Sequence, residues 1–446
     1  MVLRPRCERR VVILTRVQSL RASELTRLKE LIERPKKGLS ICSVSGPGGI
    51  GKSHLMNEVL ASSADALKGF LVLRVDGSNH QSIDDFAALV GQLFSPSLEQ
   101  GEAGRDYFPR TRNVLARFIR QREELEERIG RSSLSAESKH LTSALVKMGH
   151  WGVSKQIRGL PRLNQLEADA VGELFAVGSS WLAQKLTRSS TLRLRHELHA
   201  MTAEAIVGDL REALVRGRLL RRNLATSDGL TKLLIWIDDY EALSPVLEDF
   251  LLGALVPALA ACEFDVVMWI SGRDDLEDGN GDWSRQHKRH LEPRVRLRAF
   301  DEATTRAMLK QLNVDDAKAE QLFEATRGYP LLLQLLVEEL TDGETGSALA
   351  ARKFFERTTR WMTADEVEWF TRVCYLDRVN EDTLGRLFPK EQVPAIQSWF
   401  EKEPSIRDPN AAEFVVRPLI REKVLRYQEL RSPTQHRELQ RRAAST

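Results

Sequence analysis

Short runs of apolar residues, separated by stretches with helical periodicity, organise most of the chain. Four of these runs are almost continuously apolar, and a weaker fifth follows the fourth. A strand of this kind is buried on both faces, and helical connections between such strands are typical of a parallel sheet covered on both sides. The pattern therefore predicts an α/β core with five strands, at residues 39–44, 70–75, 233–237, 266–270 and 295–297.

Helical patterns precede and interrupt this predicted sheet. One amphipathic helix is predicted over residues 19–35, where Pro35 ends it. A much longer helical insert, at about 82–231, separates the second strand from the third, and residues 101–230 hold 22 Lys and Arg against 15 Asp and Glu. Two interpretations of the insert stay open: a solvated helical face, or a surface for recognition or oligomerisation.

The rest of the chain is predicted to form two helical units. Residues 301–341 have the pattern of a small helical bundle, or lid. Farther on, a capping box at Thr363 and Glu366 begins a helix, β-like pieces flank a turn at residues 408–410, and Pro418 suits the start of another helix. Helices followed by a hairpin and a helix predict a winged helix with a basic C-terminal helix. The predicted domains are 1–300, 301–349 and 350–446.

Composition narrows the class of protein without naming a function. The 446 residues are 42 % hydrophobic and 29 % charged, with a net charge of +3, which fits a globular protein of two to four domains. Four scattered cysteines without a CxxC pair exclude a disulfide scaffold and a cysteine-rich zinc site. Neither a signal peptide nor an apolar stretch of about 20 residues is evident. We therefore expect a cytoplasmic protein without a membrane partner.

A glycine-rich segment directly after the first predicted strand carries the clearest chemistry. It matches the phosphate-binding pattern G-x-x-x-x-G-K-[ST] and opens a helix, which is the context that this pattern requires. Its glycines let backbone N–H groups and the helix N-terminus surround anionic oxygens. Lys52 is expected to reach the β- and γ-phosphates, and Ser53 to bind Mg²⁺. The expected nucleotide contacts are Gly46, Gly48, Gly49, Ile50, Gly51, Lys52, Ser53 and His54.

Acidic residues follow the third predicted strand, where an apolar run ends in Asp238-Asp239-Tyr240-Glu241. Asp238 is expected to hold Mg²⁺, directly or through water, as a Walker-B aspartate does. Asp239 is the candidate for orienting and deprotonating the attacking water, and Glu241 is the second candidate. The alternative is that these carboxylates only cap the next helix.

Arg273 follows the fourth predicted strand, in the segment Trp269-Ile270-Ser271-Gly272-Arg273. Ligands gather at the carboxyl ends of parallel strands, so a cationic side chain there can reach a γ-phosphate. Arg273 is therefore the candidate for sensing this phosphate or stabilising charge in the transition state. The alternative is an ordinary surface arginine in a loop.

Taken with Gly328-Tyr329-Pro330-Leu331 and the predicted winged helix, these motifs resemble those of the STAND signal-transducing ATPases, a branch near AAA+. The resemblance covers about residues 20–430 and implies an ASCE/AAA+-like P-loop NTPase core with a parallel sheet, a helical lid and a C-terminal winged helix. It also implies that Pro330 contacts the adenine and that residues 21–24 border it. From the residues alone, Pro330 could equally be the proline at the first position of a helix, and both roles are compatible. Where many members carry a histidine that contacts ADP, this chain has Arg417, which could contact a phosphate instead.

The resemblance implies a molecular switch that binds ATP and hydrolyses it slowly. An ADP-bound closed state opens on a trigger, exchanges ADP for ATP and forms a homo-oligomer, in bacterial signalling such as anti-phage defence or transcription control. The chain shows no effector domain and no repeat sensor, so trigger and effector are expected to be other proteins, or the chain to be part of a larger one. ATP/ADP and Mg²⁺ are the expected cofactors.

A second hypothesis is a DNA-associated AAA+-like ATPase of the loader or transposition type. The predicted recognition helix, residues 390–402, is close to neutral, which argues against groove binding by this helix. The basic residues of the C-terminal tail could still contact phosphates, so nucleic acid is a permitted partner but not a required one. A scaffold that binds nucleotide without hydrolysis is disfavoured, because Lys52, Ser53, Asp238 and Asp239 are all present.

Overall fold

A computed structural model describes most of the chain, in two compact units. The sheet unit comprises residues 26–45 and 56–295, and the loop unit comprises residues 20–25, 46–55 and 296–444. The domain boundaries expected from the sequence stay a prediction. The described residues are 20–77, 86–94, 107–131, 188–216, 230–341, 348–360, 362–403, 405–408 and 411–444.

The sheet has five strands in the order β2-β3-β4-β1-β5. Strand β4 pairs in parallel with both β1 and β3, and β2 pairs in parallel with β3. The strand that leads into the glycine-rich loop is thus separated by one strand from the strand that ends in Asp238. The bounds are β1 Leu39–Ser45, β2 Phe70–Asp76, β3 Lys232–Asp238, β4 Asp265–Gly272 and β5 Leu291–Arg296.

Four strands lie where the apolar runs predicted them, and the fifth is present but displaced, overlapping the predicted residues 295–297 only at 295 and 296. The observed β5 begins four residues earlier and stands at the edge of the sheet. Its buried residues alternate with exposed ones, so that Leu291 and Val295 face the core while Glu292 and Arg294 point outward. An edge strand buried on one face has a period of two, and a search for continuous apolar runs misses it.

Helices flank the strands of the sheet unit, and their apolar faces build one large core around residues such as Phe86, Ile235 and Phe250. The predicted N-terminal helix is confirmed as α1. A π-helical turn, Arg211–Arg216, extends α6. The helices are α1 Ala22–Glu33, α2 Lys52–Ser62, α3 Ala64–Leu67, α4 Phe86–Leu93, α5 Pro109–Arg131, α6 Arg188–Leu210, α7 Tyr240–Phe250, α8 Val256–Ala260, α9 Leu276–Gly279 and α10 Asp282–His287.

The predicted insert, residues 82–231, is described only in part, through α4, α5 and α6. A buried carboxylate on α6 fixes the start of α5: Asp209 accepts hydrogen bonds from the backbone of Arg110 at 3.2 Å and of Thr111 at 2.9 Å. These N–H groups have no partner within their own helix, so Asp209 caps α5 from another element. The recognition role considered for the insert stays a prediction, because residues 95–106, 132–187 and 217–229 lie outside the described part of the chain.

One helical run, Tyr240–Ala260, is long and apolar enough to cross a membrane by length and composition. It consists of α7, a π-helical turn at Leu251–Leu255, and α8. More than half of its most apolar window is buried inside the protein, where Leu247 and Phe250 belong to the core of the sheet unit. The run is therefore accounted for as a core helix, and the charged residues Glu241, Glu248 and Asp249 within it explain why a search for continuous apolar residues did not single it out.

The loop unit contains the predicted helical bundle, confirmed as α11, α12 and α13, with a small core that includes Leu309, Leu322 and Leu333. Gly328, between α12 and α13, has a φ of +69°, and a Cβ there would lie 1.9 Å from the carbonyl oxygen of Phe300. Only glycine fits this turn. The bounds are α11 Glu302–Gln311, α12 Asp316–Thr326 and α13 Pro330–Thr341.

The C-terminal part has the element order of a winged helix. The capping box of Thr363 and Glu366 is confirmed at the start of α15. The two β-like pieces reduce to one antiparallel bridge between Arg407 and Val416. Pro418 begins α18 as predicted, and a further basic helix, α19, follows it. The bounds are α14 Ala348–Thr358, α15 Ala364–Val373, α16 Glu381–Leu384, α17 Val393–Glu401, α18 Pro418–Arg431 and α19 Pro433–Ala444.

Candidate nucleotide-binding site

The glycine-rich loop connects β1 to α2 and owes its path to backbone conformations that favour glycine. Gly46, Gly49 and Gly51 have φ values of +152°, +76° and +99°. L-residues with a Cβ rarely adopt such values. Gly49 is also sterically required, because a Cβ there would lie 2.8 Å from a side-chain methyl of Leu331. The glycines read from the sequence as a phosphate cradle are therefore needed for the backbone path as well.

Residues outside the loop hold three of its successive carbonyl groups. The hydroxyl of Tyr329 donates to Gly48 at 2.5 Å, the backbone N–H of Leu331 donates to Gly49 at 3.2 Å, and the guanidinium of Arg21 donates to Ile50 at 3.0 Å. Tyr329 and Leu331 flank Pro330 at the start of α13. The conformation of the loop thus depends on the lid and on the segment before α1.

Lys52, the first residue of α2, is 6 % exposed, and its ammonium group lies against the loop. Its Nζ donates to the carbonyl of Gly46 at 2.7 Å and to that of Pro47 at 3.3 Å. An ammonium group held at the loop can exchange these carbonyls for phosphate oxygens without a change of backbone. Ser53 is half-buried, His54 is exposed, and Ile50 is buried.

Asp238 ends β3 as a buried carboxylate, 1 % exposed. Its Oδ1 accepts a hydrogen bond from the Ser271 hydroxyl at 2.5 Å and one from the backbone N–H of Asp239 at 3.1 Å. Arg74, on the neighbouring strand β2, lies 3.8 Å from the other carboxylate oxygen. These contacts fix the orientation of the carboxylate, and they account for its burial, since an unpaired buried carboxylate is costly.

Ser271 is a residue of this site that the sequence analysis did not single out. It is fully buried near the end of β4, and its hydroxyl also accepts from the indole N–H of Trp236 at 3.3 Å. The signal available in the sequence was a polar residue near the carboxyl end of an apolar strand. Serine in such a place is too common to be chosen without the pairing of β3 with β4.

Replacement of Ser271 by alanine is expected to destabilise the sheet unit and disorient the Asp238 carboxylate. The change leaves the buried indole N–H of Trp236 without this acceptor, which costs about 1–3 kcal/mol, while the Asp238 carboxylate keeps the hydrogen bond from the backbone N–H of Asp239. We expect the free energy of unfolding to fall by about 1–3 kcal/mol, measured by urea denaturation followed by circular dichroism. Ser244→Ala, at a half-buried serine of α7 that bonds only within its own helix, is the control, and equal stability of the two variants would contradict the assignment.

Asp239 stands at the N-cap position of α7 in a left-handed conformation, with φ of 49° and ψ of 52°. Its side chain makes no capping hydrogen bond to the helix. The structure therefore does not support the alternative in which this carboxylate caps the helix. The catalytic role of Asp239 stays a prediction, now with a backbone conformation that costs energy and suits a functional position.

Arg273 and Glu241, two candidates for different roles, pair with each other. The Arg273 Nε lies 3.4 Å from one Glu241 carboxylate oxygen, and the backbone N–H of Arg273 donates to the other at 3.1 Å. Glu241 is therefore engaged with Arg273, which leaves Asp239 as the better candidate for orienting water. The side chain of Arg273 is 19 % exposed. Its role as a phosphate sensor stays a prediction.

Pro330 and Arg417 both belong to the loop unit. Pro330 occupies the first position of α13, the structural role that its ring favours, and its contact with an adenine stays a prediction. Arg417 is 6 % exposed and donates to the carbonyl of Thr326 at 3.3 Å. Its guanidinium carbon lies 5.2 Å from the centre of the Tyr329 ring, and burial lowers the pKa of the guanidinium. The phosphate contact considered for Arg417 stays a prediction.

Arg21 ties the segment before α1 to the loop. Besides Ile50, it donates to the carbonyl of Arg298 at 2.8 Å, and its guanidinium lies 4.7 Å from the centre of the Phe300 ring. Burial lowers the pKa of this guanidinium, and the nearby Glu24 opposes the shift. The residue therefore positions the loop, and the expected contact of residues 21–24 with a base stays a prediction.

Comparisons with known proteins bear on the family. A family model described as the AAA ATPase domain matches residues 20–268, which is more than half of the chain. No curated protein matches. Among solved structures, Cdc6p from Pyrobaculum aerophilum aligns over 92 % of this chain and 94 % of its own, with 12 % identity and a TM-score of 0.36. A likeness this distant says nothing about activity or partners.

Proposed function

From the premise that the chain belongs to the AAA ATPase domain family, and is thus a P-loop ATPase, we propose that it is a nucleotide-dependent switch of STAND type. Its ADP-bound state is closed, and its ATP-bound state assembles into a homo-oligomer. Turnover is slow, because a switch must persist in its ATP state. The proposal places the protein in the cytoplasm, in bacterial signalling such as anti-phage defence or transcription control, with its trigger and effector supplied by other proteins.

The proposed chemistry is hydrolysis of ATP to ADP and phosphate. The loop residues 46–53 bind the phosphates through backbone N–H groups, and Lys52 donates to the β- and γ-phosphates. Asp239 orients the attacking water and accepts its proton, and Arg273 senses the γ-phosphate. The loop is suited to phosphate binding, because its glycines adopt the positive φ values that bring backbone N–H groups close to a ligand.

Mg²⁺ is the proposed cofactor, and the chemistry of two side chains supports it. Ser53 offers a hydroxyl oxygen and Asp238 a buried, oriented carboxylate, which are oxygen ligands of the kind that Mg²⁺ prefers. When bound, Mg²⁺ neutralises charge on the phosphates.

The observation that carries the switch proposal is the anchoring of the phosphate loop by the lid. Tyr329 and Leu331 hold the carbonyls of Gly48 and Gly49. The lid is in turn joined to the C-terminal helices by a nearly buried ion pair, Lys423 on α18 with Glu339 on α13, at 2.8 Å. A change at the phosphates can therefore reach the C-terminal part through directly bonded residues, as a switch requires.

The test of this proposal is the solution mass of the purified protein with ADP and with a non-hydrolysable ATP analogue. We expect a small species with ADP and a larger one with the analogue, measured by light scattering after size-exclusion chromatography. The Lys52→Ala variant should have the same mass under both conditions, because it no longer binds the nucleotide. If the parent protein has the same mass with ADP as with the analogue, the result would argue against the switch.

A DNA-associated ATPase of the loader or transposition type is the second candidate. The exposed arginines of the C-terminal helices favour it, and Arg431, Arg437 and Arg441 all face solvent. Helix α17 disfavours it, because Ile396, Trp399 and Phe400 are buried and its one charged residue is Glu401. A mass that grows on addition of duplex DNA at moderate salt, and not with nucleotide, would favour this candidate.

A further inference from the structure

Tyr329 stands between the phosphate loop and the C-terminal helices and contacts both. The residue is 3 % exposed, and its hydroxyl donates to the carbonyl of Gly48 at 2.5 Å. On the other side, the guanidinium of Arg417 lies 5.2 Å from the centre of the Tyr329 ring. No motif requires a tyrosine between Gly328 and Pro330, so the sequence left this side chain without a role.

The hydroxyl of Tyr329 bears on the geometry of phosphate binding. A phosphate cradle needs its backbone N–H groups directed inward, and a peptide carbonyl points away from the N–H of the same peptide unit. By holding the Gly48 carbonyl, Tyr329 fixes the peptide whose N–H belongs to Gly49. Loss of the hydroxyl leaves a buried carbonyl without this donor and frees the peptide to rotate.

Arg417 fixes the turn that carries Tyr329. Besides its contact with the ring, its Nη1 donates to the carbonyl of Thr326, the last residue of α12. The backbone N–H of Tyr329 donates to that same carbonyl at 3.1 Å. Arg417 directly precedes α18, and the backbone N–H of Arg421 donates to the Arg417 carbonyl at 3.0 Å. The side chain that steadies Tyr329 thus belongs to the N-cap residue of a C-terminal helix.

We propose that Tyr329 is a positioning residue for the phosphate loop and that Arg417 sets the position of Tyr329. Nucleotide affinity and the packing of α18 are then coupled through one side-chain pair. Arg417 acts through Tyr329 in this scheme, and it need not contact a phosphate itself. The inference rests on the proposed nucleotide site at residues 46–53 and adds the route by which this site and α18 influence each other.

Removal of single groups tests the coupling. Tyr329→Phe keeps the ring and deletes only the hydroxyl, and Arg417→Gln removes the cation. Dissociation constants for ADP and for a non-hydrolysable ATP analogue are measured by calorimetry for each variant and for the double variant. Tyr375→Phe is the matched control, because its hydroxyl is hydrogen-bonded to His436 at 2.9 Å in the same unit.

We expect Tyr329→Phe to weaken nucleotide binding roughly 2- to 10-fold, as the loss of one hydrogen bond predicts. Arg417→Gln should weaken binding in the parent but add nothing once the Tyr329 hydroxyl is gone, because its effect passes through that hydroxyl. Tyr375→Phe should bind as the parent does. Equal affinity of Tyr329→Phe and Tyr375→Phe would overturn the role of Tyr329, and additive effects in the double variant would overturn the route through it.

A measurement on the parent protein covers the case of a variant that does not fold. Coupling is reciprocal, so nucleotide must change the stability of the first turn of α18. We expect ADP to alter hydrogen exchange of the Arg421 amide, and this effect to vanish in Tyr329→Phe. If the parent binds ADP with no change there, this inference fails while the nucleotide site stands. If neither the parent nor Tyr375→Phe binds nucleotide, the proposed function fails and the inference with it.

Discussion

The Lys52→Ala variant is expected to lose nucleotide binding, with the dissociation constant for ATP rising about 100-fold or more. Two charge-assisted hydrogen bonds to phosphate are lost, each contributing about 1.5–3 kcal/mol. The structure supports a specific role, because the ammonium group is 6 % exposed and lies on the loop carbonyls of Gly46 and Pro47. The ammonium group of a solvent-exposed lysine would have no such fixed position. Calorimetric titration with a non-hydrolysable ATP analogue measures the effect.

A matched lysine separates this effect from a general loss of charge. Lys68 pairs with Asp65 at 2.9 Å in a largely exposed position, with 70 % of its side chain accessible. Lys68→Ala should bind nucleotide as the parent does, since exposed pairs contribute little. Thermal unfolding of both variants without nucleotide shows whether Lys52→Ala is folded. A folded Lys52→Ala protein with unchanged affinity for the ATP analogue would remove Lys52 from the site.

The second large effect is expected for Asp239→Asn: ATP binding within about 3-fold of the parent and hydrolysis lower by about 10²- to 10⁴-fold, the usual contribution of a general base. Asparagine is the better substitution here, because φ at this position is 49°. Asparagine tolerates the left-handed region, whereas alanine does so less readily, so Asp239→Ala would mix backbone strain with the loss of the carboxylate. Phosphate release under saturating ATP measures hydrolysis.

Two comparisons make this test specific. Asp65→Asn alters an exposed acid, with 96 % of its side chain accessible, and should hydrolyse ATP at the parent rate. Glu241→Gln removes the partner of Arg273 and tests the second candidate for the base. If Asp239→Asn hydrolyses ATP at the parent rate while Glu241→Gln does not, then Glu241, and not Asp239, orients the attacking water. A binding defect as large as the rate defect would show that Asp239 acts on affinity instead of chemistry.

The strands β1 to β4 could be predicted because burial on both faces demands continuous apolar residues, and such a run can be read without its neighbours. The phosphate loop could be predicted for the same reason, since its glycines, Lys52 and Ser53 are contiguous in the chain. The capping box of Thr363 and Glu366 is equally local, and the structure has it as expected. Strand β5 was displaced, because alternation over six residues with a central proline gives a weak signal.

Site residues that act through distant partners could not be found in this way. Ser271 bonds to Asp238 across 33 positions, Arg273 to Glu241 across 32, and Tyr329 to Gly48 across 281. Nothing in the local pattern of Ser271 or Tyr329 distinguishes them from other serines and tyrosines. Their roles follow from strand order and from the turn at Gly328, which brings a side chain and a carbonyl into contact.

The sequence by itself thus determined the class of fold, the phosphate loop and the broad class of AAA+-related P-loop ATPase, because these depend on residue types at short, fixed spacings along one segment. The STAND subtype stays a proposal. Only the tertiary structure decided which groups hold the Asp238 carboxylate, that Arg273 pairs with Glu241, and that Tyr329 donates to the loop while Arg417 lies against its ring. The physical reason is the range of the interactions. A hydrogen bond acts over about 3 Å, and packing decides which groups, however distant in the chain, come within that distance.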